Sequence, residues 1–476
     1  MEWMVLLPPL VAIVLALWTR QVFLALFIGL WVGTTLLAQG NPIAGLRLLA
    51  DEIVAVFADA GNTRVVLFCM LVGGLLALVQ ASGGVQGFVT WTQQRGWGTS
   101  RRSAEFMSWF LGLIIFVESS ISPLIVGAVS RPFFDKLRIP REKLAFYCDS
   151  TSAPVCMSIP LNGWGAYVLG LLMAQGFTEG AVPLLAHALA FNFYSLLAIL
   201  FALLLALTGW GFGPMKRAEE RARTTGALLR PGATPLISEE LDMLHPLPDT
   251  PNHPLDLVIP LVSMVGMIFV SLYITGDGNI MQGSGSTAVL WAVSTGIFVA
   301  IIQYKIPRPL RGGKPVIPLT RAIDLVLKGC SGLVPVTVLI VLAFALGQVS
   351  RELEMGPYLV GIIQGNLPPL VLPALVFLVA CFVSFTLGSS WTTFAILIPV
   401  ALPLASGLGL SPALMLGALL SGGVFGDHAS PLSDTSIISS MAAACDHVDH
   451  IQTQLPYSLL LAGISLSLYL IAGWLL

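Results

Sequence analysis

Charged side chains are scarce in this sequence of 476 residues: 10% are Asp, Glu, Lys or Arg, whereas 56% are hydrophobic. An ordinary soluble domain carries about 25% charged residues. Apolar runs near the length of about 20 residues that crosses a bilayer recur along the chain. They include 5–18, 22–38, 181–207 and 255–274. The composition therefore predicts a polytopic membrane protein rather than a soluble enzyme, with 1–18 as its first span.

Several signatures of other protein classes are missing. The six cysteines lie mostly in apolar runs, without the paired spacing of a disulfide framework or a zinc site. A net charge of −2 and the lack of a basic, aromatic-interleaved stretch argue against a nucleic-acid partner. No phosphate loop, Gly-x-Ser-x-Gly elbow or His-Glu-x-x-His pair is present. We therefore expect neither an enzyme activity nor a cofactor.

Basic residues gather on alternate loops, and short loops rich in Lys and Arg stay in the cytoplasm. These loops contain Arg20, 95–102, 131–143, 216–230 and 305–321. The pattern places the polar stretch 209–253 in the cytoplasm and predicts both termini outside, in a cell (inner) membrane protein embedded in the lipid bilayer. A short amphipathic segment at 46–59 is predicted to lie at the membrane interface.

Two apolar stretches carry polar residues where a simple span would be apolar. Residues 103–130 contain Glu-Ser-Ser-Ile-Ser-Pro at 118–123 and have basic clusters at both ends, so both ends favour the same side. Residues 370–406 contain Gly-Ser-Ser-Trp-Thr-Thr at 388–393. Polar backbone at membrane depth is tolerated where it is buried in protein. Both stretches are therefore predicted to be re-entrant hairpins.

Each hairpin is followed by a helix with a polar, proline-containing break, at about 143–175 and about 411–441. Proline removes a helix hydrogen bond, and nearby hydroxyls can satisfy the freed backbone groups. The predicted fold is all-α, with two inverted repeats of five spans plus a hairpin each. The repeats comprise 1–208 and 254–476, joined by the linker 209–253. Such repeats place a binding site at the midplane between broken helices.

Four acidic residues fall in these polar segments: Glu118, Asp149, Asp427 and Asp434. A charged side chain at membrane depth costs at least about 2.5 kcal/mol, so each needs a reason to be there. Carboxylates suit a hard cation, and Glu118, Asp149 and Asp427 are the sodium candidates. A proton could replace the ion on the same carboxylate. The alternative for Asp149 and Asp434 is that they cap half-helices.

Neighbouring side chains complete the candidate site for an ion or solute. They are Ser119, Ser120, Ser150, Thr151, Ser152, Ser389, Ser390, Thr392, His428, Ser430 and Thr435. The hairpin hydroxyls, with Thr393, could equally satisfy backbone groups. His428 could relay protons or be a hydrogen-bonded core residue. For the cluster at 445–450, which contains Cys445, His447 and His450, gating or interfacial contacts are favoured over zinc binding.

Longer motifs point to one family. Three segments closely resemble the NhaC family of sodium/proton antiporters: Phe-Gly-Asp-His-Ala-Ser-Pro-Leu-Ser-Asp-Thr-Ser-Ile-Ile-Ser-Ser at 425–440, Cys-Asp-His-Val-Asp-His at 445–450 and Thr-Gln-Leu-Pro-Tyr at 453–457. Asp-Ser-Thr-Ser-Ala-Pro-Val-Cys at 149–156 and Trp-Gly-Ala at 164–166 look like its other signature. The resemblance implies inverted repeats, two hairpins and often a homodimer with a scaffold and a moving transport domain. Many members carry an Asp-Asp-Tyr-like first hairpin tip, whereas this chain has Glu118-Ser119-Ser120.

The sequence thus predicts a secondary active transporter that exchanges sodium for protons by alternating access. The alternative is a sodium- or proton-coupled transporter or exchanger of a small organic solute, either cationic or a carboxylate. The polar breaks contain no Lys or Arg, which favours a cationic cargo.

Overall fold

The fold is described from a computed structural model, which describes residues 2–19, 21–94, 100–116, 118–119, 121–177, 180–235, 253–306, 316–363 and 368–475. Throughout these residues the regular structure is helical, with no strand. Seven helices in this part of the chain are long and apolar enough to cross a membrane, or up to ten if each sharply bent helix pair counts as one span. Backbone hydrogen bonds closed within each helix explain why such an apolar chain is helical.

The first half contains twelve α-helices within the described residues. They are α1 (Leu7–Thr19), α2 (Val22–Leu37), α3 (Pro42–Ala58), α4 (Ala60–Ala81), α5 (Gly84–Gln94), α6 (Arg101–Ile114), α7 (Ile121–Lys136), α8 (Arg141–Ser150), α9 (Ala153–Ser158), α10 (Gly163–Ala174), α11 (Ala181–Ala190) and α12 (Phe193–Thr208).

The linker contributes α13 (Gly213–Thr225), and the second half contributes ten further α-helices in the described part. They are α14 (Leu255–Thr275), α15 (Gly285–Lys305), α16 (Leu319–Gly332), α17 (Val334–Glu352), α18 (Met355–Ile363), α19 (Leu372–Leu387), α20 (Ser390–Gly407), α21 (Pro412–Ala429), α22 (Asp434–Ala443) and α23 (His447–Leu475). Short 3₁₀ turns lie at Glu2–Leu6, Ile280–Gln282 and Pro369–Val371.

The helices break where the sequence predicts hairpin tips and interruptions. α6 and α7 pack on each other and are separated at 115–120, and α19 and α20 pack on each other and are separated at 388–389. Gly388 adopts a left-handed φ of 66°, which is strained for other residues, and Ser389 caps α20 by accepting from the Thr392 N–H. α21 and α22 are separated at 430–433.

Two interruptions differ from the sequence-based expectation. The predicted broken helix at 143–175 has a second break at 159–162, after which Asn162 caps α10 by accepting from the N–H groups of Trp164 and Gly165. The apolar run 181–207 is two helices, because the chain turns at Phe191 and Asn192. Asn192 is fully buried, and its side-chain oxygen accepts from the Ser421 hydroxyl. Hydropathy alone does not reveal a turn that is stabilised by a distant helix.

The two halves interleave rather than pack as separate blocks. From the second half, α22 packs on α7 and α8, while α23 packs on α8 and α12. From the first half, α4 packs on α15 and α16. The polar breaks of each half are therefore covered by helices of the other half.

Glycines bring the backbones of α21 and α19 together. A Cβ added at Gly422 would lie 2.4 Å from the Phe377 carbonyl oxygen, and one at Gly426 would lie 2.3 Å from the Phe385 backbone nitrogen. This close approach lets the Ser384 hydroxyl donate to the Gly423 carbonyl oxygen at 2.6 Å. The second hairpin is therefore fixed directly against the broken helix.

We expect Gly426→Ala to destabilise the protein by about 1–3 kcal/mol, because backbone atoms cannot move aside for the new Cβ. Gly463→Ala is the matched control, since an added Cβ there has no atom within 4 Å and alanine is the better helix former. Thermal unfolding in detergent measures both. Equal melting temperatures for the two variants would contradict the packing described here.

The linker is bound to the helix bundle by ion pairs. Lys143 of α8 lies 2.8 Å from Glu105 of α6 and also pairs with Glu219 of α13, while Arg221 of α13 pairs with Glu142 at 2.9 Å. The Lys143 and Glu105 side chains are only 3% and 5% exposed. α13 is thereby attached to α8 within the described structure.

Lys143→Met should cost about 3–5 kcal/mol, because it leaves the buried Glu105 carboxylate without its cation. The double variant Lys143→Met, Glu105→Gln should recover most of that loss. Lys216→Met, on the exposed face of α13, serves as the control. Thermal unfolding in detergent gives all four values; a single variant as stable as the double variant would contradict a stabilising pair.

Candidate functional site

A cavity of about 270 Å³ lies between the two hairpin tips and the second break. Three of the four predicted acids line it, together with hydroxyls and aromatic rings. The polar lining residues are Glu118, Ser119, Ser389, Asp427, Asp434 and Thr435, and the aromatic ones are Phe23, Phe68, Trp164 and Trp391. The structure thus brings together residues that are more than 300 positions apart in the sequence.

Asp427 is the most extensively hydrogen-bonded acid of the cavity. It lies in the last turn of α21 and is 2% exposed. One carboxylate oxygen accepts from the Ser390 hydroxyl of the second hairpin at 2.6 Å. The other accepts from the Ser433 hydroxyl and, at 3.3 Å, from that of Thr435 in the break. Hydroxyls from two separate segments therefore converge on a single buried carboxylate.

Asp434 and Glu118 are more open to the cavity. Asp434 is exposed and begins α22, where its side chain accepts from the Thr435 N–H at 2.8 Å. It therefore caps its half-helix and borders the cavity at once, so the two alternatives for this residue coexist. Glu118 is half-buried, and the Ser119 hydroxyl donates to it at 3.3 Å. Ser120 lies outside the described residues.

Asp149 does not line the cavity. It is fully buried, and one of its oxygens accepts from Ser436 at 2.8 Å and Gln454 at 2.7 Å, with His450 at 3.2 Å. Those partners are side chains of α22 and α23, not N–H groups of a half-helix. Asp149 therefore does not cap a half-helix in this structure. Because Asp149 is not among the residues that line the cavity, direct contact with a bound ion is disfavoured.

His428 joins both halves of the chain beside Asp149. Its Nε2 lies 3.1 Å from the Ser150 hydroxyl, and its Nδ1 lies 2.7 Å from the Tyr194 hydroxyl. Ser436 connects the two acids, because its hydroxyl bonds Asp149 and lies 3.4 Å from the Asp427 carbonyl oxygen. A continuous buried polar network thus runs from the cavity to Asp149.

The predicted hydroxyls divide into two groups. Ser390, Thr435, Ser119 and Ser150 bond to side chains of the site. The others satisfy backbone groups or each other: Thr151 donates to Tyr147, Ser152 to Ser119, Thr393 to Ser389, Thr392 to the Ser389 hydroxyl, and Ser430 to Phe385. In this structure the first group therefore faces polar side chains of the site, and the second satisfies backbone groups or neighbouring hydroxyls.

Four polar partners were not among the predicted site residues: Ser433, Ser436, His450, which was noted only as part of the cluster at 445–450, and Gln454. They lie inside the motifs at 425–440, 445–450 and 453–457. The available signal was the spacing of Ser433, Ser436 and Ser440 along the second break, which places hydroxyls on one face of a helix. His450 and Gln454 are four residues apart and likewise share a face of α23.

The cluster at 445–450 contacts the linker. Asp446 accepts from the N–H and hydroxyl of Thr234 at 2.9 and 3.1 Å, and Asp449 pairs with Arg230 at 2.9 Å. Burial works to raise the pKa of Asp446, but the hydrogen bonds from Thr234, Asp449 and Val448 outweigh it and hold the pKa below its usual value. Asp446 and Asp449 thus bind the linker, whereas His450 of the same cluster is buried beside Asp149.

Relatives support a transporter. An uncharacterized protein of Haemophilus influenzae is 30% identical over 98% of this chain and 90% of its own length. The arginine/ornithine antiporter ArcD of Halobacterium salinarum is 39% identical over 22% of each chain. The Na⁺/H⁺ antiporter NhaC of Alkalihalophilus pseudofirmus is 37% identical over 16% of each chain. The named relatives are antiporters, not enzymes.

The fold has a solved counterpart in the YdaH transporter of Alcanivorax borkumensis, with a TM-score of 0.56 and 16% identity over 90% of this chain and 88% of that one. At this identity the likeness concerns the fold alone. The profile of the Na⁺/H⁺ antiporter family matches residues 164–474, which include α10, both elements of the second hairpin and the whole second break. With its apolar helices and its acid-lined cavity, the chain is a multi-pass membrane transporter that belongs to the Na⁺/H⁺ antiporter family.

Proposed function

We propose that the protein exchanges sodium for protons by alternating access, with the cation bound at Asp427. One observation carries the proposal: hydroxyls from the hairpin and from the break converge on this buried carboxylate at the wall of a cavity. Glu118 and Asp434 add negative charge to the same cavity. Oxygen ligands of this kind suit a hard, weakly polarizing cation such as sodium.

The hydroxyls give the site two states. In the structure Ser390 and Ser433 donate to the Asp427 carboxylate and so compensate its charge. A hydroxyl can rotate, because it carries one donor and two acceptor lone pairs. When sodium binds, these hydroxyl oxygens can turn their lone pairs to the ion. When sodium leaves, a proton bound to Asp427 takes over the positive charge of the ion. Competition for one carboxylate is sufficient for exchange.

Asp149 has a supporting role in this proposal. It is separated from the cavity by Ser436, which contacts both acids' segments. Its partners His450 and Gln454 belong to α23. We assign Asp149 to fixing the positions of α8, α22 and α23 around the cation site, with Glu118, Asp427 and Asp434 facing the ion.

A second cavity, of about 310 Å³, supports alternating access. Asn62 and Asp59 border it at the start of α4, whereas Phe68, Cys69 and Val72 border the central cavity further along the same helix. Between these two regions, the fully buried Val65 packs closely on Gly170: a Cβ added to the glycine would lie only 2.8 Å from the Cγ1 atom of Val65. We infer that this contact closes one entrance to the central cavity. When Val65 and Gly170 move apart, a path opens between the two cavities.

The predicted topology belongs to the same proposal. Two inverted repeats, 1–208 and 254–476, would place the hairpins on opposite sides of the inner membrane, with 209–253 in the cytoplasm and both termini outside. The order of the described helices in the two halves supports this: five helices (α1–α5, α14–α18), a hairpin (α6–α7, α19–α20), a broken helix and a last helical segment. A homodimer remains a prediction.

Internal pH in proteoliposomes tests the exchange directly. Adding sodium outside should raise the internal pH well above the value reached with potassium, because protons leave in exchange for sodium. Asp427→Asn should reduce this response to that of protein-free liposomes, because the amide keeps the side-chain volume but removes the charge. Asp324→Asn, an exposed position on α16, should retain the wild-type rate. A sodium response in Asp427→Asn equal to wild type would exclude the assigned site.

Cysteine labelling tests the topology. Thr225→Cys, exposed at the end of α13, should react with an impermeant maleimide only after the membrane is opened. Ile280→Cys, exposed in the turn after α14, should react in intact cells. Labelling of the Thr225→Cys variant from outside would overturn the orientation.

A further inference from the structure

Much of the cavity wall is apolar, which a sodium site alone does not require. Beside Trp164 and Trp391 it includes Phe68, Leu333 and Leu339. A sodium ion gains nothing from such a surface, since its hydration or coordination needs oxygen atoms. The volume, about 270 Å³, lies just below the usual range for small-molecule pockets of about 300–1,000 Å³. Shape and lining together suit a small molecule that has both a charge and an aliphatic body.

The sign of that charge is positive. Glu118, Asp427 and Asp434 line the cavity, whereas no Lys, Arg or His is among the described residues that border it. The two indoles are also suited to a cation, since the face of a tryptophan attracts an ammonium or guanidinium group within about 6 Å. The presence of both carboxylates and indoles in the lining therefore favours an organic cation.

The indoles are held in place by the protein. Tyr167 stacks on Trp391 with ring centroids 4.5 Å apart, and its hydroxyl donates to the Trp391 carbonyl oxygen at 2.7 Å. Trp164 meets Trp391 edge-on at 5.6 Å and donates from Nε1 to the Ser119 hydroxyl at 3.3 Å. Because both rings are fixed before binding, little conformational entropy is lost when a solute packs against them.

A carboxylate on the solute would lie among three acids, and the described lining residues include no Lys or Arg to compensate it. Helix N-termini commonly bind anions through their free N–H groups, and three of them border the cavity. Ser389 already accepts from the Thr392 N–H of α20, Asn162 from the first N–H groups of α10, and Asp434 from the Thr435 N–H of α22. The lining thus favours the cationic end of an amino acid over its α-carboxylate.

We propose that this cavity binds small aliphatic amines or guanidines that lack a carboxylate, with the cationic group at Asp427 and Asp434 and the aliphatic body against Trp164 and Trp391. The inference rests on the proposed function in that the same cavity is the transport site. Such an amine competes with sodium for Asp427. It is thereby a second cargo, exchanged across the membrane at the site of the first.

Matched pairs of solutes test the inference. Putrescine and agmatine differ from L-ornithine and L-arginine only by the missing carboxylate. In proteoliposomes preloaded with the unlabelled compound, radiolabelled putrescine and agmatine should enter at least about 10-fold faster than the corresponding amino acid, a difference equal to one 1.4 kcal/mol step in binding. External sodium should slow their entry, and Asp427→Asn should abolish it.

Substitutions of Trp391 test the role of the aromatic cavity wall. Trp391→Leu should lower the ratio of putrescine counterflow to sodium–proton exchange about 10-fold, whereas Trp391→Phe, which keeps an aromatic face, should retain most of it. Trp210→Leu, an exposed position outside the cavity, is the control for folding and reconstitution. An unchanged ratio in Trp391→Leu would overturn the role of the indole.

The outcomes separate this inference from the proposed exchange. Sodium–proton exchange without amine counterflow, and without inhibition by millimolar putrescine, would overturn the inference alone. Amine counterflow without any sodium response would overturn sodium exchange and leave the cavity assignment standing. Entry of ornithine and arginine as fast as their carboxylate-free counterparts would overturn the proposed selectivity.

Discussion

The cost of placing a carboxylate inside a membrane protein governs the arrangement around Asp427. At membrane depth the charge is several kcal/mol unfavourable unless donors compensate it. Here the donors are hydroxyls on two elements that would otherwise be separate, Ser390 on the hairpin and Ser433 in the break. Helices that ran without interruption could not direct both hydroxyls inward. The breaks, the glycine contacts of α21 and the cavity itself follow from satisfying this one group.

Much of this arrangement is encoded locally and could be predicted. Polar residues interrupting apolar runs predicted where the helices break. The cost of buried charge singled out four acids, of which Glu118, Asp427 and Asp434 line the cavity and Asp149 does not. The family assignment predicted from the motifs at 425–457 is confirmed by the match over 164–474. Local signals suffice here because a proline, a glycine or a charge within an apolar run has few structural explanations.

Other features depend on contacts between distant residues, and the sequence does not reveal them. Asp149 differs little from Asp427 as a sequence feature, yet its donors come from residues 287 to 305 positions away and leave it outside the cavity. The turn at Asn192 is stabilised by Ser421 of another helix. The indole pair of Trp164 and Trp391 joins the two halves in the same way. Hydrophobic periodicity and helix propensity depend on nearby residues and give no information about such pairings.

The interleaving of the halves has a consequence for how the chain is made. Asp149 enters the membrane with α8, but Ser436, His450 and Gln454 are synthesised 287 to 305 residues later. Until then the carboxylate has none of the donors that cover it in the finished protein. The first half therefore cannot complete its packing while it emerges from the ribosome. We expect α8 to stay loosely inserted, or bound to the insertion machinery, until α23 has been synthesised.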